Sequence, residues 1–269
     1  MVHMTTVLVG AGVMGESILA GVLDSGSAAS EVLVVERRAD RAAEVAARFG
    51  VRLVDLPTGA ARAGMLLLAV KPADVAGTLD QIAPQLGSDA VLVCVAAGVS
   101  TAQLERHLPA GAPVVRAMPN TPALVRAGVT AIAPGTHAGA EHLERAERLL
   151  AGVGTVVRVA EEQMDAVTAV SGSGPAYVFL VVEALVEAGV RAGLPRPLAS
   201  ELVVQTLRGS ALMLGETAEH PAVLRERVTS PGGTTAAALH ELERAGVRAA
   251  FGEAVQAALR RAGQLADLA

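Results

Sequence analysis

The stretch Thr6-Val7-Leu8-Val9-Gly10-Ala11-Gly12-Val13-Met14-Gly15 decides the fold. Four β-prone apolar residues run straight into a glycine-rich turn, and the residues beyond it open an apolar helix. A short Val/Leu run bounded by such a turn suits a strand buried in a parallel sheet. Glu36 lies about 20 residues on, at the end of the next β-rich run, Val32 to Val35. Strand, turn, helix and acid in that order make the fingerprint of a dinucleotide-binding unit. Its glycines permit the tight turn, and the loop Gly10, Ala11, Gly12, Val13, Met14 and Gly15 brings backbone N–H groups to a pyrophosphate lying on the positive end of the helix.

Working outward, further β-rich runs follow at Met65 to Val70, Val91 to Val95, Val114 to Arg116, Val129 to Ala133 and Thr155 to Val159, with helical stretches such as Ala39 to Phe49 between them. This alternation predicts a parallel sheet covered by helices on both faces. From Glu161 onward strand signals vanish, and Ala, Leu, Val and Glu recur at helical spacing, broken at Gly172 to Pro175, Gly193 to Pro197, Gly215 to Pro221 and Ser230 to Gly233. The expected fold class is therefore α/β, a Rossmann-like N-terminal domain over 1–160 followed by an all-α C-terminal domain over 161–269. At 269 residues the chain is long enough for two domains. Ala176 to Ala192 is apolar on nearly every face, more than one small bundle buries, which points to a second subunit.

Composition narrows the function. Only Phe49, Tyr177, Phe179 and Phe251 are aromatic, so the cores must be built from Ala, Val and Leu, and stacking on nucleic-acid bases is not expected. A net charge of −5 with scattered basic residues gives no footprint for a phosphate backbone. The single cysteine, Cys94, sits in an apolar run and reads as a buried strand residue rather than part of a disulfide or metal site. The six histidines form no metal-ligand spacing, so no metal is expected. Export is not expected, because the apolar N-terminus lacks a basic region and Glu16 interrupts it. Met1 to His3 reads as an extension ahead of a second Met, Met4. No run reaches the roughly 20 apolar residues of a membrane span, the segment Tyr177 to Val190 being interrupted by Glu183 and Glu187. A cytoplasmic protein without a membrane partner is expected.

Three further features carry chemistry. Glu36 is the acid that accepts from the ribose 2′-OH of NAD, whereas the adjacent Arg37 and Arg38 suit the 2′-phosphate of NADP, so the two signals conflict. Lys71 is the only lysine in the chain and follows a strand end, where ligands of doubly wound sheets bind. Ser171-Gly172-Ser173-Gly174-Pro175 lacks the spacing of a nucleophile elbow and reads as a helix-start turn. In Thr229-Ser230-Pro231-Gly232-Gly233-Thr234-Thr235, exposed amides, four hydroxyls and the start of a helix at Ala236 to Glu243 make a loop able to hold a carboxylate without a cation. A capped helix start is the plain alternative.

Taken together, GAGVMG (Gly10 to Gly15), AVKP (Ala69 to Pro72), AAGV (Ala96 to Val99), RAMPNTP (Arg116 to Pro122), SGSGPAY (Ser171 to Tyr177) and VTSPGGTTAAALHELE (Val228 to Glu243) resemble the pyrroline-5-carboxylate reductase family over essentially the whole chain. The resemblance implies hydride transfer from NAD(P)H to the C=N carbon of 1-pyrroline-5-carboxylate, the last step of proline biosynthesis. It implies cofactor contacts at Ala69, Val70, Lys71 and Pro72, at Ala97 and Gly98, and at Met118 and Asn120, with NADPH expected and NADH also usable. The substrate carboxylate would lie on the amides of Gly233, Thr234 and Thr235 with the Ser230 hydroxyl, Thr235 Oγ1 near the ring nitrogen, and Glu161 near the substrate. It further implies a homodimer of interlocked C-terminal helices, often assembled into rings. Two departures bear on the cofactor: Leu56 stands where many members have Asn, and Glu36 where many NADP-preferring members have a neutral residue.

Two other readings compete. A β-hydroxyacid dehydrogenase also pairs such a loop with a helical domain, but those enzymes use a lysine there and this chain has only Lys71. A non-catalytic dinucleotide sensor would have no use for the loop at Ser230 to Thr235.

Overall fold

The computed structural model describes residues 5–266, so the extension Met1 to His3 lies outside the described residues. One eight-stranded sheet organises the first part of the chain: β1 (Thr6–Val9), β2 (Val32–Val35), β3 (Arg52–Leu53), β4 (Met65–Leu68), β5 (Val91–Cys94), β6 (Val114–Met118), β7 (Gly128–Pro134) and β8 (Gly154–Arg158). Their order across the sheet is β3-β2-β1-β4-β5-β6-β7-β8, so the winding reverses between β1 and β4, the crevice where such sheets bind ligands.

The strands alternate between two cores, as the two-residue period of a pleated strand demands. Leu8, Met65, Leu67, Val91 and Val93 pack on one face with Ile18 and Leu19 of α1 (Val13–Asp24), Val45 of α2 (Ala39–Phe49) and Leu149 of a helix further on. Val7, Val9, Leu66, Leu68 and Leu92 pack on the other with Ala60 of α3 (Leu56–Arg62) and Val75 and Leu79 of α4 (Pro72–Ile82). Cys94 belongs to this second core, and burial pushes its thiol up to about 11. The short α5 (Thr101–Glu105) and the longer α6 (Ala140–Leu150), which carries Leu149, complete the layers.

Two features depart from the expected parallel sheet. The two-residue β3, paired with β2, has both side chains exposed and left no apolar signature. β7 runs antiparallel to β6, and only then does β8 resume parallel to β7. The reason is length: the link over 119–127 is shorter than the roughly dozen residues a parallel crossover needs.

Beyond β8 the described chain is helical: α7 (Met164–Val167), a π turn at Thr168–Gly172, α8 (Gly174–Arg191), α9 (Arg196–Thr217), α10 (Pro221–Arg227), α11 (Thr234–Arg244) and α12 (Val247–Ala266). By contacts the molecule divides into one compact unit running through Ser173 and regaining the segment from Ala258, and a second, Gly174–Ala257. Within the second, α8 and α9 approach closely where Gly189 faces Ala199. Val186 is the one buried residue of α8, whereas Phe179 and Leu180 are 65% and 66% exposed.

The expected break at Gly172 to Pro175 is only a π turn and a bend, so helical structure runs through Glu161–Arg191. Among the described residues this stretch is long and apolar enough to cross a membrane by length and composition, with mean hydropathy 1.6, which the sequence reading did not anticipate.

Gly21 of α1 and Gly152 meet so closely that a Cβ on Gly152 would lie 2.2 Å from the Gly21 carbonyl oxygen. Gly152→Ala should therefore lower stability by about 2 kcal/mol through overpacking. Gly77→Ala, in an open helical position of α4, should be neutral or add up to about 1 kcal/mol. Guanidinium unfolding of both variants at constant slope checks this, and equal midpoints would refute it.

Candidate functional site

Where the winding reverses, a cleft of about 860 Å³ opens beyond the strand ends. It is lined by Gly10, Ala11, Gly12 and Val13 after β1, Glu36, Arg37 and Arg38 after β2, and Ala69, Val70 and Lys71 after β4. Each glycine of the loop answers a different demand. Gly10 has φ +92°, and a Cβ there would lie 2.7 Å from the Ala69 carbonyl oxygen. A Cβ on Gly15 would lie 2.2 Å from the Gly10 carbonyl oxygen, so Gly15 lets α1 start against the loop. Gly12, the residue capping α1, has an ordinary extended backbone and no atom within 4 Å of its would-be Cβ. A side chain at Gly12 would stand in the cleft itself, which is where a pyrophosphate resting on the first-turn amides of α1 requires space. Those residues fit a dinucleotide.

The acidic and basic residues after β2 are not equally free. Glu36 Oε2 accepts from the Ala11 N–H at 2.9 Å, and Oε1 accepts from the Arg38 N–H at 2.9 Å. Arg38 donates to both oxygens of Asp40, at 3.3 and 2.9 Å, and the first of the effects holding the Asp40 carboxyl below its usual range is this hydrogen bond. Arg37 is exposed and lies 3.7 Å from Asp74. Of the two arginines, Arg37 is the looser and better suited to receive a phosphate. Lys71, at the cap of α4 with Pro72 in the first turn, is exposed on the cleft.

Met14, Gly15, Pro72, Ala97, Gly98, Met118 and Asn120 do not line this cleft. Gly98 turns with φ +78° after β5. Asn120 is a staple: its side-chain amide donates to the Ser171 carbonyl at 3.2 Å, and its Oδ1 accepts from Val129 N–H at 2.9 Å. A Cβ on Gly172 would lie 2.6 Å from Met118 Cε. The RAMPNTP and SGSGP segments thus meet, joined by the π turn, an element frequent at functional sites.

Glu161 takes part in the same junction through a part-buried ion pair. Its Oε1 accepts from Arg116 Nη1 at 2.8 Å and from the Thr101 N–H at 3.1 Å, while Asp165 lies 3.7 Å from Arg116 Nη2. Arg116 is 4% exposed. Glu161 Oε1 thus ties β6, α5 and the start of the helical stretch together, while Oε2 is buried without a hydrogen-bond partner.

In the second unit, α11 begins at Thr234, two residues earlier than the expected Ala236, with Gly233 as its cap. The Gly233 N–H donates to the Ser230 carbonyl at 3.0 Å, so the Gly233 amide is already taken and the first-turn donors without an intrahelical partner are those of Thr234, Thr235 and Ala236. Gly233 is needed for another reason, since a Cβ would lie 2.4 Å from Ser230 Oγ. Gly232 adopts φ +67°, and Thr235 is half-buried.

The sequence reading missed several cleft residues. Asp55, which caps α3 by accepting from the Thr58 N–H at 2.8 Å, was legible in the Asp-Leu-Pro pattern. Arg41, whose Nε donates to the Ala11 carbonyl at 2.9 Å, carries no local sign of that partner.

A chain that joins a dinucleotide cleft to a separate helical unit fits an oxidoreductase of the Rossmann-like class. Comparison with known proteins narrows this. Residues 161–265 match the family model described as pyrroline-5-carboxylate reductase dimerisation, and residues 5–98 match that described as NADP oxidoreductase coenzyme F420-dependent. The chain is 48% identical to a pyrroline-5-carboxylate reductase of Mycobacterium leprae, over 96% of this chain and 95% of that one. It superposes on a pyrroline-5-carboxylate reductase structure from Coxiella burnetii with TM-score 0.93 and 35% identity, covering 98% of each chain. A Plasmodium falciparum pyrroline carboxylate reductase with NADP bound matches with TM-score 0.87 and 27% identity, again over 98% of each chain. The chain belongs to the pyrroline-5-carboxylate reductase family.

Glu161→Ala would leave the Arg116 guanidinium buried without its main partner and should lower stability by about 3 kcal/mol. Denaturant unfolding checks this, and a loss below about 1 kcal/mol, the ordinary worth of an exposed pair, would mean water reaches Arg116.

Proposed function

We propose that this chain reduces 1-pyrroline-5-carboxylate to L-proline with NADPH as preferred donor and measurable use of NADH. The observation that carries the reading is the start of α11, where outward amides and the Thr235 hydroxyl offer a carboxylate site with no cation, in a chain whose other unit holds a dinucleotide cleft. Reduced nicotinamide, when bound, supplies the hydride that adds to the C=N carbon, while the nitrogen ends with the proton of the amine.

In this reading the amides of Thr234 and Thr235 and the Ser230 hydroxyl hold the substrate carboxylate, Gly233 keeping the turn tight. Fixing the carboxylate fixes the imine carbon, which is catalysis by proximity. A hydride adds to an iminium more readily than to a neutral imine, so the nitrogen must be protonated or hydrogen-bonded at the transition state. The Thr235 hydroxyl makes that hydrogen bond. An unperturbed hydroxyl is a poor acid, so the substrate brings its own proton and Thr235 orients it. The notion that Glu161 touches substrate is weakened by its Oε1 being held by Arg116 and the Thr101 N–H.

The loosely held Arg37 supports 2′-phosphate recognition, with Glu36 narrowing the preference, and Lys71, Ala69, Val70, Ala97, Gly98, Met118 and Asn120 complete the cofactor's surroundings. We set the functional boundary at 160/161, supported by the start of the dimerisation match at residue 161. The exposed apolar side chains of α8 and α9 support a homodimer in which a second copy covers them, and rings of such dimers are the further assembly we expect. A single buried Cys94 suits the cytoplasm.

Consumption of NADPH in the presence of 1-pyrroline-5-carboxylate, with proline as product, tests the activity. Thr235→Val should lower kcat on the order of 10²-fold with dinucleotide affinity nearly unchanged, by analogy with deleted oxyanion donors. A lowered Tm with wild-type kcat would make Thr235 a helix-start residue only. Arg37→Ala should raise KM for NADPH far more than for NADH, and equal effects would remove Arg37 from the phosphate site. Dilution should cost activity and stability together, and an active monomer in light scattering would overturn the dimer.

A further inference from the structure

We infer that Arg41 is a positioning residue of the dinucleotide site, one that turns the Ala11–Gly12 peptide so that the Gly12 N–H faces the pyrophosphate. The inference rests on the reading of the cleft as a dinucleotide site. Arg41 lies on α2, 30 positions from the loop it serves, and its side chain is 17% exposed. Its Nε–H donates to the Ala11 carbonyl oxygen at 2.9 Å. In a planar trans peptide the C=O and the following N–H point opposite ways. Holding the Ala11 carbonyl toward α2 therefore turns the Gly12 N–H away from α2, and the absence of any atom within 4 Å of a Cβ on Gly12 leaves room for a ligand beside that peptide. The neighbouring peptide is held from the same strand-helix segment, because the Ala11 N–H donates to Glu36. Two consecutive peptide planes of the loop are thus fixed by side chains before any ligand arrives, which removes an ordering cost from binding.

Arg41 also settles a conflict of charge. Glu16 sits in the first turn of α1, where an acid favours the helix dipole but would repel a phosphate. Arg41 pairs with Glu16, as does Arg48, and Arg41 pairs with Glu44 at 2.7 Å. With its fork occupied by two carboxylates and a carbonyl, Arg41 acts on the cofactor through the loop and not by gripping the 2′-phosphate. Its removal should therefore weaken NADPH and NADH alike, unlike that of Arg37.

The test is Arg41→Met, which keeps the aliphatic stem, beside Arg41→Lys, which keeps the charge but loses the Nε–H of the planar fork. Binding is read by fluorescence titration of NADPH and NADH on the purified protein without imine, so that the outcome does not depend on the substrate. Arg41→Met should weaken both dinucleotides by a similar factor of about tenfold, with kcat at saturation within about twofold. Arg41→Lys should leave Tm near wild type while the weakening persists. Loss confined to NADPH would make Arg41 a 2′-phosphate ligand and overturn the inference. So would unchanged affinity in Arg41→Met, or full recovery in Arg41→Lys, which would leave charge as its only role. If Arg41→Met does not fold, Arg41→Lys decides alone: weakened binding of both at unchanged Tm supports the inference, and wild-type binding refutes it. Failure of the wild-type protein to bind either dinucleotide would be a different result, overturning the cofactor reading itself.

Discussion

The absence of room between the Gly10 carbonyl and Gly15 is the constraint on which the rest of this structure hangs. Any side chain at Gly15 would push α1 off the end of β1. Because none is there, the helix starts directly over the crevice between β1 and β4, and its unpaired amides become the floor of a cleft. The apolar strand and the apolar face of α1 supply the burial, but the glycines decide where that burial places the backbone dipoles.

The fold was legible where local pattern and tertiary packing agree. Leu8, Leu67 and Val93 had to be buried whichever sheet they joined, and the glycine turn after β1 stated its own geometry. β3 was not legible, because Arg52 and Leu53 are exposed and two residues carry no period. The reversed direction of β7 lay in the shortness of the link 119–127, a property of connection length rather than of β7 itself. The helix start at α11 was read two residues late, because threonine serves equally as a loop hydroxyl and as a first-turn residue.

The candidate site divides along similar lines. Glycines and the acid at the end of β2 follow from backbone requirements and appear as a motif. Contacts between side chains far apart in sequence do not. Arg41 looks like any of the chain's other arginines until its partner at Ala11 is seen, and Glu161 looks like a surface acid until Arg116 is found beneath it. Motif spacing also cannot say which donor is already in use. The Gly233 amide, an obvious candidate for a carboxylate, is spent on the Ser230 carbonyl.

The uneven burial of the two halves bears on how the protein is made. A chain emerging from the ribosome offers its whole sheet, with both cores, before the helices beyond β8 are synthesised, and domains form in that order. The helices that follow carry Phe179, Leu180, Leu212 and Met213 on the outside and bury few large side chains of their own. A newly finished molecule thus presents those apolar side chains to solvent, and surface of that kind is what makes a finished chain prone to aggregate.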